Sequence, residues 1–264
     1  VARTVQEPVM AAADPEYVCD TGVFGYIYPA GDPEFSQTDE YLEQVHELGA
    51  ECNYTGMMMY GNSNTGHIPD NMVYAYYKDK DPEKVREYCA YNNEARDEMM
   101  CAWTQFIRTG SRQHFLRAAR YTGNVGDVAY IHAHPYNPSS VGLMHGHGPH
   151  PWYGAPFACH TLVGGILTHY YYTGNRRLLE IAEEVADRIV AAQEPAGIIS
   201  GETTLNRKIG AQLSVLLEMY QITWEKKYGD LAHRTLNWLL RTQPETGLLP
   251  MQIGTSGTRG DRAV

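Results

Sequence analysis

Three stretches decide the fold: FIRTGSRQHFLRA at residues 106–118, YYYTGNRRLLEIA at 170–182 and YQITWEKKYGDLA at 220–232. Laid over one another, they obey one rule. An aromatic residue (Phe106, Tyr170, Tyr220) is followed after two residues by Thr (Thr109, Thr173, Thr223), and after eight more by Ala (Ala118, Ala182, Ala232). A recurrence at roughly this period marks stacked supersecondary units. In the first two stretches Gly follows the Thr, and Gly readily takes the left-handed backbone that ends a helix. Each unit therefore reads as a helix, a tight turn and a second helix.

The segments flanking the turns differ in kind. Those before them, MMCAWTQFI (99–107), TLVGGILTHYYY (161–172) and IGAQLSVLLEMY (209–220), are apolar on most sides, as a helix buried all round must be. The segment after the second turn is amphipathic. Leu178, Leu179, Ile181, Ala182, Val185, Ala186 and Ile189 form a stripe opposite Glu180, Glu183, Glu184, Asp187 and Arg188. Inner helices alternating with outer ones predict an all-α chain, an α/α toroid. Its short turns lie at one end and its long connections, 131–157 and 193–205, on the opposite rim. Three hairpins are clear and Met72–Ala90 offers a fourth, too few to close a ring. The expected architecture is an incomplete ring of helical hairpins at residues 71–264, part of a longer protein. Other segments of that protein, or a second copy of the chain, would complete it. Residues 1–70 read as an irregular N-terminal segment. It contains one helix over Gln37–Leu48, with Thr38 as its N-cap and Gly49 as its stop.

Composition narrows the function classes. The chain has 264 residues, 43% hydrophobic and 20% charged, enough for a sizeable core. A net charge of −10 argues against nucleic acid as a partner, and no apolar run is long enough to span a membrane. The five cysteines (Cys19, Cys52, Cys89, Cys101, Cys159) are scattered and read as small buried hydrophobes rather than disulfides or zinc ligands. The opening VARTVQEP has no apolar signal region.

The long connection Ile131–His160, IHAHPYNPSSVGLMHGHGPHPWYGAPFACH, holds six of the 11 histidines among many Gly and Pro. So much Gly and Pro excludes regular structure, and long ordered loops usually carry function. His145, His147, His150 and Tyr153 are the candidate catalytic groups, since imidazole titrates near working pH. Tyr136 and Trp152 are the candidate stacking aromatics of the loop. Asn92, Asn93, Arg96, Arg207, Lys208 and His160 lie at predicted inner-helix starts, where N–H groups and side chains could hold a substrate carboxylate. No cofactor is required. The same histidines, with His134 or His160 as a further ligand, could hold a zinc or calcium ion, although HGHGPH lacks the helical spacing of H-E-x-x-H.

The run YNNEARDEMMCAWTQFIRTGSRQHFLRAARYT (91–122), the His-rich loop, and CHTLVGGILTHYYYTGNRRLLEIAEEVADRIV (159–190) resemble the helical domain of exo-rhamnogalacturonan-lyase-like proteins. More broadly, they resemble the α/α toroids of other polysaccharide lyases and glycosidases. The resemblance implies a carbohydrate-active enzyme of the extracellular space or periplasm, with a poly- or oligosaccharide as partner. On that reading the chain is a lyase cleaving a uronate-containing polymer by β-elimination, with His145, His147 or His150 as base and Tyr153 as acid. Two alternatives stand beside it. One is a glycoside hydrolase using paired carboxylates, drawn from Glu94, Asp97, Glu98 and Glu202. The other is a non-catalytic carbohydrate-binding or assembly module.

Overall fold

The structure, a computed structural model, describes residues 11–51, 97–144, 160–192, 203–249 and 252–254. Among these residues there are eight α-helices: α1 (Pro15–Asp20), α2 (Ser36–Glu51), α3 (Glu98–Thr109), α4 (Arg112–Asn124), α5 (Gly164–Thr173), α6 (Arg176–Ala192), α7 (Asn206–Thr223) and α8 (Lys226–Thr242). The last six form three consecutive hairpins, α3–α4, α5–α6 and α7–α8, an arc of an α/α toroid.

One knot of hydrogen bonds, repeated three times, explains the shared spacing of the repeat. The hydroxyls of Thr109, Thr173 and Thr223 donate to the carbonyls of Gln105, His169 and Met219, each at 2.7 Å. Each hydroxyl also accepts from the N–H two residues on: Ser111 at 3.1 Å, Asn175 at 3.3 Å and Glu225 at 3.2 Å. Thr thus serves an orphan carbonyl of one helix and an orphan N–H of the next. The intervening residue donates its N–H to the carbonyl of the repeat aromatic: Gly110 to Phe106, Gly174 to Tyr170, Trp224 to Tyr220. All three sit in the left-handed region, at φ 63°, 66° and 58°. In the third hairpin a tryptophan holds a conformation that suits glycine.

Packing follows from small residues at the contacts. Ala118, Ala182 and Ala232 are buried, letting each outer helix lie close on its inner one. Gly165 does the same between α5 and α3. A Cβ there would stand 2.2 Å from the Met99 Cβ and 2.8 Å from the Met100 nitrogen. The main core joins Met99, Ile166, Ile181, Val185, Leu216 and Leu231 across the three hairpins. A second cluster surrounds Trp103, which is fully buried and edge-on to Phe106 and Phe115. Its indole N–H donates to Thr122 at 2.8 Å, so its polar atom is satisfied as burial demands.

The N-terminal residues dock on the turn end. Arg108 of α3 pairs with Asp39 of α2 at 2.5 Å and donates to the Tyr28 carbonyl at 2.8 Å. Glu43 of α2 accepts from Gln105 at 3.3 Å and lies 3.1 Å from His114. Helix α2 starts at Ser36, directly after a single 3-10 turn at Pro33–Phe35, and runs through Gly49 to Glu51. Thr38 therefore lies inside the helix and does not cap it. The entry is set upstream, where Asp32 accepts from the Glu34 N–H. The two described cysteines also depart from expectation: Cys101 is exposed and Cys19 half-buried.

On the long-loop rim, strands β1 (Thr203–Leu205) and β2 (Gln252–Gly254) pair antiparallel, with Thr203 opposite Gly254. They tie the approach to α7 to the segment beyond α8. No described helix is long and apolar enough to cross a membrane.

Candidate active site

Two carboxylates meet where α3 and α5 begin, beside the later turns of α7. Asp97 caps α3, its Oδ1 accepting the Met100 N–H at 3.0 Å. Its backbone is left-handed, at φ 58°, a conformation Asp tolerates better than most residues but one that stores strain. Gly164 opens α5 beside it. A Cβ on Gly164 would lie 2.6 Å from Asp97 Oδ2 and 3.4 Å from Glu218 Oε1. Glycine leaves the gap into which both carboxylates reach, one from α3 and one from α7.

Glu218 stands on a helix otherwise apolar along this stretch. Ser214, one turn earlier, donates to its Oε1 at 2.9 Å. Its Oε2 is shielded from solvent and has no hydrogen-bond partner among the described residues. Burial, and then the charge of Asp97, push the Glu218 carboxyl up to about 7, against the opposing pull of the Ser214 bond. Burial also raises the phenol of Tyr171, with Glu218 as the next cause. Sequence reasoning misses Glu218 as a site residue, although a lone acid within IGAQLSVLLEMY is itself a signal.

The start of the His-rich loop is fastened to the scaffold. Ile131 donates to the Leu143 carbonyl and Gly142 to the Ile131 carbonyl, each at 2.9 Å. Arg188 reaches from α6 to the Ser139 carbonyl. The Tyr130 hydroxyl donates to the Leu162 carbonyl. His132 lies between two acceptors, with Nδ1 2.7 Å from Glu184 and Nε2 2.6 Å from the Gly126 carbonyl. His134 Nδ1 accepts from the Asn137 N–H at 2.9 Å, closing a turn. Both histidines thus hold the loop in shape.

Other expected site residues are placed as follows. Tyr136 is exposed on the loop surface at 91%. His160 is buried just ahead of α5. Arg207 is exposed and Lys208 half-buried in the first turn of α7. Glu98 is the first residue of α3. Asn92, Asn93, Glu94, Arg96, His145, His147, His150, Trp152, Tyr153 and Glu202 lie outside the described residues. Among the described residues no group of three His, Cys, Asp or Glu is placed to hold a metal. His169 packs on Trp103 at 5.1 Å, and burial draws it down to about 4.

Residues 127–248 match the model of the β-L-arabinofuranosidase GH127 catalytic domain. The match takes in α5 to α8, just under half of the chain. No curated protein matches the chain. These findings correct the resemblance to exo-rhamnogalacturonan-lyase-like proteins and the β-elimination reading drawn from it. The matched domain belongs to glycoside hydrolases, so the support passes from lyase to hydrolase. The toroid is common to both, and the hairpins that carried the resemblance hold no chemistry of their own. A carbohydrate partner is retained.

Proposed function

We propose that this domain is a glycoside hydrolase acting on an arabinose-containing carbohydrate. The match of residues 127–248 to a β-L-arabinofuranosidase catalytic domain carries the reading. The geometry supports it. Hydrolysis of a glycoside needs a proton for the leaving oxygen and a carboxylate nearby, and Asp97 and Glu218 bring two carboxyl groups together beside Gly164. A neutral sugar also suits a chain of net charge −10, which would repel an acidic polymer at long range. Lys208, half-buried in the first turn of α7, is a further proposed contact for sugar hydroxyls.

The test is incubation with arabinose-containing oligosaccharides and with an aryl β-L-arabinofuranoside. Free arabinose and new reducing ends are expected, with no ultraviolet absorbance from an unsaturated sugar. Products that carry that absorbance would overturn the hydrolase. Sugar binding without any turnover would make the domain a binding module.

A further inference from the structure

We propose that Trp224, at the turn of the third hairpin, is a surface platform for a sugar ring of an arabinose-containing polymer, at the end of the molecule opposite the long-loop rim. The choice of ligand rests on the hydrolase reading; the site is a separate one.

The repeat supplies the first observation. At the same step of the first two hairpins stand Gly110 and Gly174, at φ 63° and 66°, and Trp224 takes that backbone at φ 58°. A side chain there works against the fold, because the left-handed region suits glycine. The second observation is exposure. Trp224 is 75% open to solvent, whereas Trp103 is fully buried and Trp238 is open to only 7%. Most of the Trp224 ring therefore adds nothing to the core. A residue that strains its own turn and packs so little is placed for contact outside the chain.

The third observation is bracing. Gly229 of α8 leaves room for the Tyr220 ring, since a Cβ there would meet two of its carbons at 2.9 Å. Tyr220 in turn lies beside Trp224, with ring centroids 5.8 Å apart and planes inclined by 59°. An indole braced in this way loses little freedom when a ligand settles on it. The fourth is charge. Glu225, next in sequence, lies 3.1 Å from Lys227, which also reaches Asp187 at 2.7 Å. These charges are engaged with one another, and the open surface beside them is an uncharged aromatic face. A neutral sugar fits such a face. The C–H groups on one side of its ring pack on the indole, and its hydroxyls stay in water. Helix α7 runs for 18 residues from the rim to this turn, which sets the platform roughly 27 Å from the rim.

The experiment measures binding of soluble arabinan to the whole chain by affinity electrophoresis, with polygalacturonate and poly-L-lysine as charged probes. Trp224→Gly is expected to weaken arabinan binding by about 10- to 30-fold. Trp224→Phe, which restores a ring, is expected to recover most of it. Because Trp224→Gly relieves the turn, its Tm does not fall, so lost binding is not lost folding. An arabinan affinity unchanged in Trp224→Gly, or lost equally in Trp224→Phe, would overturn the site. Tighter binding of either charged polymer, weakened in Trp224→Gly, would overturn it in favour of an ionic partner. Self-association of the wild type that Trp224→Gly abolishes would overturn it in favour of a second copy of the chain. Turnover of the aryl β-L-arabinofuranoside reports on the hydrolase reading alone. With turnover and no arabinan binding, only the platform fails; with arabinan bound through Trp224 and no turnover, only the hydrolase does.

Discussion

Replacing Glu218 with Gln should make the protein more stable at neutral pH, and the gain should vanish in acid. The carboxyl is raised from 4.5 to about 7, by burial first and by Asp97 second. Between those values the folded chain holds a proton that the unfolded chain has released. Stability therefore falls as pH climbs through the window. The stabilising contribution is complete below about pH 4.5 and gone above about pH 7. A tenfold change in proton affinity is worth about 1.4 kcal/mol, which sets a ceiling of about 3 kcal/mol, and partial exposure brings the working figure to roughly 1–3 kcal/mol. Glutamine keeps the acceptor for Ser214 and has no charge to lose. The variant should match wild type near pH 4 and exceed it by about 2–10 °C in Tm at pH 8. Thermal melts at half-unit intervals, followed by circular dichroism, read the difference directly. Parallel curves across the whole range would refute the reasoning, as would a variant weaker at every pH. Glu218 would then be a plain acceptor for Ser214, with no costly buried charge.

Two further outcomes follow from the backbone. Gly165→Ala places a methyl 2.2 Å from the Met99 Cβ and against the α3 backbone, so α3 and α5 must part. A loss on the order of 3 kcal/mol or more is expected in urea unfolding, and a loss under about 0.5 kcal/mol would mean the helices are not in close contact. Trp224→Gly removes a left-handed tryptophan at φ 58° and forgoes a ring contact with Tyr220 at 5.8 Å. A net gain of roughly 0.5–1 kcal/mol is expected, with Trp224→Ala gaining nothing because alanine keeps the strain.

What is legible in the sequence depends on distance along the chain. The hairpins are legible because their physics is local. Thr109, Thr173 and Thr223 act within four residues of themselves, and each turn residue acts on the aromatic four positions back. The carboxylate pair is not, because Asp97 and Glu218 stand on the first and third hairpins and meet only after all three have stacked. Along the sequence Asp97 is one acid among several, and Glu218, although a lone acid in an apolar run, shows nothing of the partner it will meet. The histidine-rich loop stands out for the opposite reason. A cluster of one residue type is easy to see, yet His132 and His134 are engaged in fastening the loop. Gly49 misleads because helix α2 continues beyond it to Glu51. The lyase reading errs at another level. It rests on turns and inner-helix patterns that several carbohydrate-active families share, and such patterns report architecture before chemistry.

The hydroxyl knot at Thr109, Thr173 and Thr223 has a consequence for how such a chain can change. Each hairpin is clasped at its own base by atoms that belong to it alone. Nothing in that clasp depends on the length or composition of the strap at the far end. Straps can therefore be lengthened, shortened or exchanged while the base stays shut, and new specificities can be tried on one side of the molecule at little risk to the other.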